Sequence, residues 1–224
     1  KKLSVLDICD PSDEKSISAW NQYIDLIMTS NHEITDDLFR KGVKIPVETV
    51  IDSHEANPRI IKRHKYKSVL NVTWYGVYVS YDISVKPIED ILNRKDIAFK
   101  WGSNINPDNK PGFSDVLFHM PSKDAWKQKK SWQHFICNSD IGIVPVFNAI
   151  KSPHKILNYM SYGIPVICSP IDSHKRIIRH EENGFFASSK DEWLKYIDIL
   201  RDPEIRNSVG QKARDSVLKQ YSIQ

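Results

Sequence analysis

With 224 residues, 40% of them apolar and 27% charged, the chain has the composition of a folded protein able to bury a sizeable core. This excludes a disordered or fibrous polypeptide, and apolar runs as short as Ile141–Phe147 cannot cross a bilayer. The net charge of +4 is mild, and the densest basic stretch, Lys123–Lys130, reads as a solvated helix face rather than a nucleic-acid contact.

In chain order, Leu3–Cys9 reads as a strand and Ser12–Tyr23 as a helix opened by Ser12, with acids in its first turn. Asp25–Thr29 is a second strand, Asn31–Lys41 a helix ended by Gly42, and Val47–Ile51 a third strand. A polar, Pro-containing stretch from Asp52 to Tyr66 follows. It sets a linker at 59–66 between a first unit, 1–58, and a second, 67–224. The second unit restarts the alternation. Strands are expected at Ser68–Trp74, Ile97–Trp101, Val116–His119, Ile141–Val144, Val166–Cys168 and Phe185–Ala187. Helices are expected at Ile83–Asn93, Asp124–Cys137, Pro153–Tyr162, His174–Glu181, Lys190–Arg201 and Pro203–Tyr221, with Gly102–Gly112 a loop. Strand–helix alternation with near-continuous apolar strands predicts an α/β fold: a Rossmann-like parallel sheet with helices on both faces. Such sheets bind ligands beyond the carboxyl ends of their strands, so the residues just after each strand are the ones to search.

The most informative stretch is Ile141–Pro170. A buried strand ends at Val144-Pro145, and a loop leads to Ser152-Pro153-His154-Lys155. Ser suits a helix N-cap, and Pro at the first helical position has no amide hydrogen to lose. Unpaired amides and the positive end of the helix dipole make an anion site there, and Lys155 adds a full charge in the same turn. Capping alone would predict only an ordinary helix start. The position after a buried parallel strand is what points to a ligand.

These residues resemble the donor-binding domain of glycosyltransferase family 4, which has the two-Rossmann-domain GT-B architecture. The matching elements, in order, are Val144-Pro145, Ser152-Pro153-His154-Lys155, Met160-Ser161-Tyr162-Gly163-Ile164-Pro165-Val166, and Ile177 to Phe185 with Asn183-Gly184. Residues 67–221 resemble the whole second, nucleotide-sugar-binding domain. Residues 1–58 resemble only the last strand–helix–strand units, or a remnant, of the acceptor-side first domain, so a missing N-terminal domain or a partner chain is expected. Two departures stand out. The family's Glu-x7-Glu pair, whose second member holds the donor ribose, is Ile150 and Asn158 here. The diphosphate-clamping Arg after the first strand is absent, which leaves Lys86 nearby.

The resemblance implies a glycosyltransferase that moves a sugar from a nucleotide-diphosphate donor to a glycan or lipid-linked acceptor. It also implies retention of anomeric configuration, no required cofactor or metal, and a UDP-sugar as the donor guess. Lys155 and Lys86 are the implied catalytic cations. Gly76, Gly102, Ser103, Met120, Pro121, Ser152, Pro153, His154, Lys155, Ile156 and Asn158 are the implied donor-binding set. The rival reading is a non-catalytic nucleotide-sugar-binding or partner-docking module; a nucleotide-sugar epimerase stands behind both, because no convincing acid–base set is seen at the cleft. Asp7 with Asp10, and His54 with Glu55, are weaker acid–base pairs, Asp10 being better explained as a strand-end residue. The histidine spacing fits no zinc site, and neither a P-loop nor a GxGxxG loop is present. Cys9, Cys137 and Cys168 are widely spaced, each among apolar neighbours, and read as buried free thiols in a reducing compartment. With no signal-peptide pattern after Lys1-Lys2, the expected location is the cytoplasm, with room for peripheral contact at the inner face of the membrane.

Overall fold

The computed structural model describes residues 2–53, 59–76, 78–103, 116–119, 129–146 and 150–221. The strands form two parallel sheets. The first is three-stranded, in the order β1 (Val5–Ile8), β2 (Leu26–Thr29), β3 (Val47–Thr49). It packs on α1 (Glu14–Tyr23) and α2 (His32–Arg40) through a small core of Ile8, Ile17, Ile27, Ile34, Leu38 and Val43. The second is six-stranded: β4 (Leu70–Tyr75), β5 (Ile97–Ser103), β6 (Val116–His119), β7 (Ile141–Val144), β8 (Val166–Cys168) and β9 (Phe185–Phe186). Its spatial order is β6-β5-β4-β7-β8-β9. The chain therefore steps outward from β4 in one direction, returns to lay β7 against β4, and steps outward the other way. The reversal opens a crevice at the carboxyl ends of β4 and β7.

Strand periodicity divides the second unit's core into two layers, because successive side chains point to opposite faces. Val72, Trp74, Ile141, Ile143 and Ile167 face one cluster, which α3 (Tyr78–Ser84), α4 (Glu89–Leu92) and α8 (Lys190–Ile199) cover. Tyr75, Val144, Val166 and Cys168 face the other, under α5 (Lys129–Cys137), α6 (His154–Ser161) and α9 (Pro203–Gln220). The sheet is thus covered on both faces, as its continuous apolar strands predict.

Several element boundaries differ from expectation, each for a local reason. Asp13, not Ser12, caps α1, accepting the Ser16 amide at 2.7 Å. The helix expected over Ile83–Asn93 is broken: α3 ends at Ser84 and a 3-10 turn spans Lys86–Ile88, since Pro87 supplies no amide hydrogen. The helix expected over His174–Glu181 shrinks to one turn, α7 (Asp172–Lys175). Beyond it Asn183 Oδ1 accepts the Arg179 amide at 2.7 Å and Glu181 takes a positive φ of 64°, a local bond network that competes with helix.

The segment 59–66 is a strap rather than a free linker. Lys62 donates its amide to Tyr162 O at 2.7 Å, and His64 exchanges bonds with the Asn207 side chain at 2.8 and 2.9 Å. Arg206 reaches Lys65 O, and Arg214 reaches Ile60 O. Beneath the strap lies fully buried Asp140, which accepts from Lys67 Nζ at 2.7 Å and from the Asn71 amide at 2.9 Å. Buried charge is tolerated only when paired in this way. Nearby, α9 crosses the end of α6 so closely that a Cβ on Gly210 would clash with Gly163 O.

Candidate functional site

The position of α6 is set from below. Gly142 in β7 has no side chain, and the Tyr159 ring fills the space: a Cβ there would come within 2.5 Å of it. The Tyr159 hydroxyl donates to Thr73 O in β4 and accepts from Thr73 Oγ1, both at 3.1 Å. This pins the helix over the β4–β7 seam. Lys155 is one turn earlier on the same helix face, so the anchored Tyr159 aims it past the strand ends. Its Nζ lies 5.2 Å from the Trp74 ring centroid and 5.6 Å from that of Tyr75. It also sits 2.7 Å from where a Cβ on Gly76 would be. Only glycine after β4 leaves room for the ammonium.

The amine is therefore held in a desolvated, aromatic-floored corner, where rings attract the cation but do not neutralise it. Burial, and next the nearby Lys151 charge, lower its pKa to about 8, with Asp10 acting in the opposite direction. Among the described residues, no carboxylate lies within ion-pair distance of it. The helix begins one residue later than expected: Pro153 occupies the cap, and the Ser152 hydroxyl accepts the His154 amide at 3.2 Å. The amides of Lys155 and Ile156 follow in the first turn, where no intrahelical acceptor is available.

Around this corner lies a cleft of about 520 Å³, a size that holds a small ligand. The second unit lines it with Trp74, Tyr75, Gly76, Ser80, Ser84, Val144, Pro145, Val146, Lys151, Ser152, His154 and Lys155. The first unit contributes Cys9, Asp10 and Asp52, residues just past β1 and β3. Lys151 Nζ meets Asp10 Oδ1 at 2.5 Å, and the Ser152 hydroxyl donates to Asp52 Oδ2. Away from the cleft, Arg176 Nε bonds Glu33 Oε1 at 2.8 Å between the same two units.

The structure brings together Gly76, Ser152, His154 and Lys155 of the expected set. Pro153 and Ile156 are buried in the support of α6. Gly102 is buried near the end of β5, its carbonyl accepting the Gly76 amide at 3.0 Å, and Ser103 is the last residue of that strand. Met120, Pro121, His54 and Glu55 fall outside the described residues. Lys86 is corrected: it is exposed on the 3-10 turn and does not line the cleft, because the break at Pro87 turns it outward. Asn158 is corrected too. At 1% exposure it is buried behind the cleft, its Nδ2 3.4 Å from the Tyr75 hydroxyl and 3.3 Å from His154 Nε2. One turn of helix separates Asn158 from His154, so it supports the His154 ring rather than facing a ligand. Ile150, the other position of the family's acidic pair, packs against the first unit's core. Asp52, Cys9 and Lys151 are not among the expected site residues, and Asp10 is expected only as half of a weak acid–base pair with Asp7, better explained as a strand-end residue. Applying the strand-end rule to β1 and β3 as well as to β4 and β7 would have found both acids.

A switch-point cleft with a helix start and a lysine at its base has the physical make-up that attracts anions. Residues 125–216 match the family model described as glycosyl transferases group 1. A search of curated proteins by sequence gives no significant match. The fold is similar to that of Anabaena HepE, solved in complex with UDP and glucose, with 10% identity and a TM-score of 0.70. That likeness covers 99% of this chain and 68% of HepE. It is also similar to TarM, at 12% identity and a TM-score of 0.68, over 98% of this chain and 48% of TarM. A third similar structure is the sucrose-phosphate synthase of Thermosynechococcus elongatus, at 11% identity, a TM-score of 0.59 and 58% of its length. The chain spans about half to two thirds of the length of these structures.

Proposed function

We propose that the cleft binds a nucleotide-diphosphate sugar, with UDP as the nucleotide, and transfers the sugar to a glycan or lipid-linked acceptor. The observation that carries this reading is Lys155, fixed at the β4–β7 switch point above Trp74 and Tyr75 beside Gly76. In such a transfer the bond between the anomeric carbon and the outer phosphate oxygen breaks, and negative charge grows on the departing diphosphate. A preorganised cation and helix-terminal amides in a water-poor corner stabilise that charge without having to reorganise. We assign this role to Lys155 and to the first turn of α6, with His154 as a further donor held by Asn158. The complex of HepE with UDP supports the choice of nucleotide.

The finer features follow the resemblance to family 4: retention of anomeric configuration and no metal requirement; the location in this reading is the cytoplasm, with room for peripheral contact at the inner face of the membrane. In the same reading, residues 1–58 are the end of an acceptor-side domain and 67–224 are the donor domain, so the acceptor site needs a further domain or a partner chain. A donor-holding module without turnover is the second reading. Asn158 favours it, because the position that the family uses for the ribose presents no group to the cleft here. Release of free UDP from UDP-sugars, assayed with and without saccharide and lipid-linked acceptors, separates the two. Acceptor-dependent release is expected. UDP binding without release would leave the module, and absence of binding to both UDP and GDP would remove the donor site.

A further inference from the structure

The cleft that presents cations to a ligand also presents two carboxylates. Asp10 and Asp52 come from the first unit and engage the two residues that lead into α6. Asp10 holds Lys151 at 2.5 Å, and Asp52 accepts the hydroxyl of Ser152. That same hydroxyl accepts the His154 amide, so Asp52 is linked through one atom to the start of the helix. Asp10 is also near enough to Lys155 to favour its charged form. A diphosphate carries at least two negative charges and seeks these same donors. Carboxylate and phosphate cannot share them, since like charges in contact repel.

We propose that Asp10 and Asp52 form an acidic latch that competes with the donor diphosphate for Lys151 and Ser152. The inference rests on the donor-site reading above. Loading the donor exchanges phosphate oxygens for the two carboxylates on Lys151 and Ser152, and so releases the first unit from the approach to α6. The Arg176–Glu33 pair, which joins the same two units outside the cleft, is untouched by the exchange. The latch thereby couples occupancy of the cleft to the contact between the units.

The test is calorimetric titration with UDP and with inorganic pyrophosphate, comparing the unmodified chain with Asp10→Asn, Asp52→Asn and Glu33→Gln. Each amide keeps the shape of its acid and removes the charge. Asp10→Asn and Asp52→Asn should each tighten both ligands about three- to tenfold, the scale of one like-charge contact removed near a protein surface. Glu33→Gln should leave both affinities unchanged. Circular dichroism melts identify a variant that fails to fold, and Asp52→Asn carries the test if Asp10→Asn does. Unchanged or weaker binding by the folded acid variants overturns the latch and leaves the donor site standing. Equal tightening by Glu33→Gln overturns it as well, because it would reflect general loosening of the units. If no variant and no unmodified protein binds either ligand, the latch and the donor site fall together.

Discussion

Replacing Lys155 by Met keeps the unbranched stem over Trp74 and Tyr75 and removes only the charge, and it should move binding and stability in opposite directions. The ammonium is the nearest full cation at the base of the cleft, and a hydrogen bond to a charged partner is worth about 1.5–3 kcal/mol. UDP affinity should therefore fall roughly 10- to 150-fold. Stability should rise. Burial lowers the Lys155 pKa from 10.5 to about 8, so below pH 8 the folded state carries a charge it disfavours. At about 1.4 kcal/mol per unit this gives up to roughly 3 kcal/mol of destabilisation at neutral pH. Cation–π attraction from the two rings offsets about 1 kcal/mol of it, leaving a gain of about 1–2 kcal/mol for Lys155→Met. The sign follows from linkage: the unfolded chain binds the proton more tightly, so the penalty is full below pH 8 and fades as pH rises to 10.5. Urea denaturation at pH 7 and pH 10, with UDP titrations beside it, checks both halves. A variant that binds UDP normally would remove Lys155 from the site. One that loses stability at pH 7 would show that the ammonium is a structural cation rather than a desolvated one.

Three further outcomes follow from the packing. Binding of UDP should weaken as pH rises through about 8, where Lys155 loses its proton, and calorimetry in buffers of different ionisation enthalpy should detect proton uptake on binding. Burial holds His64 and His174 neutral with pKa values of about 4, so the stability they contribute is complete above pH 6.5 and is lost as pH falls from 6.5 to 4; thermal melts across that window should show the decline. Asp140→Ala strands Lys67 and the Asn71 amide beneath the 59–66 strap and should cost about 2–4 kcal/mol in urea denaturation, whereas the exposed Lys86→Ala should change stability by less than about 0.5 kcal/mol.

How much of this was legible depends on how far each contact lies along the chain. The apolar runs of β4, β7 and β8 and the Ser152-Pro153 turn are written in consecutive residues, because side-chain period and capping act over a few positions. Gly42 and Gly163, at the ends of α2 and α6, take positive φ as glycines at helix ends commonly do. Where two local rules competed, the sequence misled. Pro87 broke a helix that periodicity continued, and the bonds of Asn183 shortened another. Asn158 was placed at the ligand by analogy with an acidic residue, yet its amide nitrogen lies against His154, one helical turn away, and against Tyr75, which becomes a neighbour only after α6 docks.

The sequence by itself determined a parallel α/β sheet, the helix that opens after β7, and the lysine in that helix's first turn, since each depends on periodicity, capping and spacing within one stretch of chain. Only the tertiary structure decided where that lysine points. Its aim depends on Tyr159 seated on Gly142 and bonded to Thr73, and its company depends on Asp10 and Asp52 arriving from the other unit. Those partners lie up to 145 residues away along the chain, by the difference between positions 155 and 10. No local rule reaches that far, because close packing and Coulomb forces depend on distance in space and not on distance in sequence.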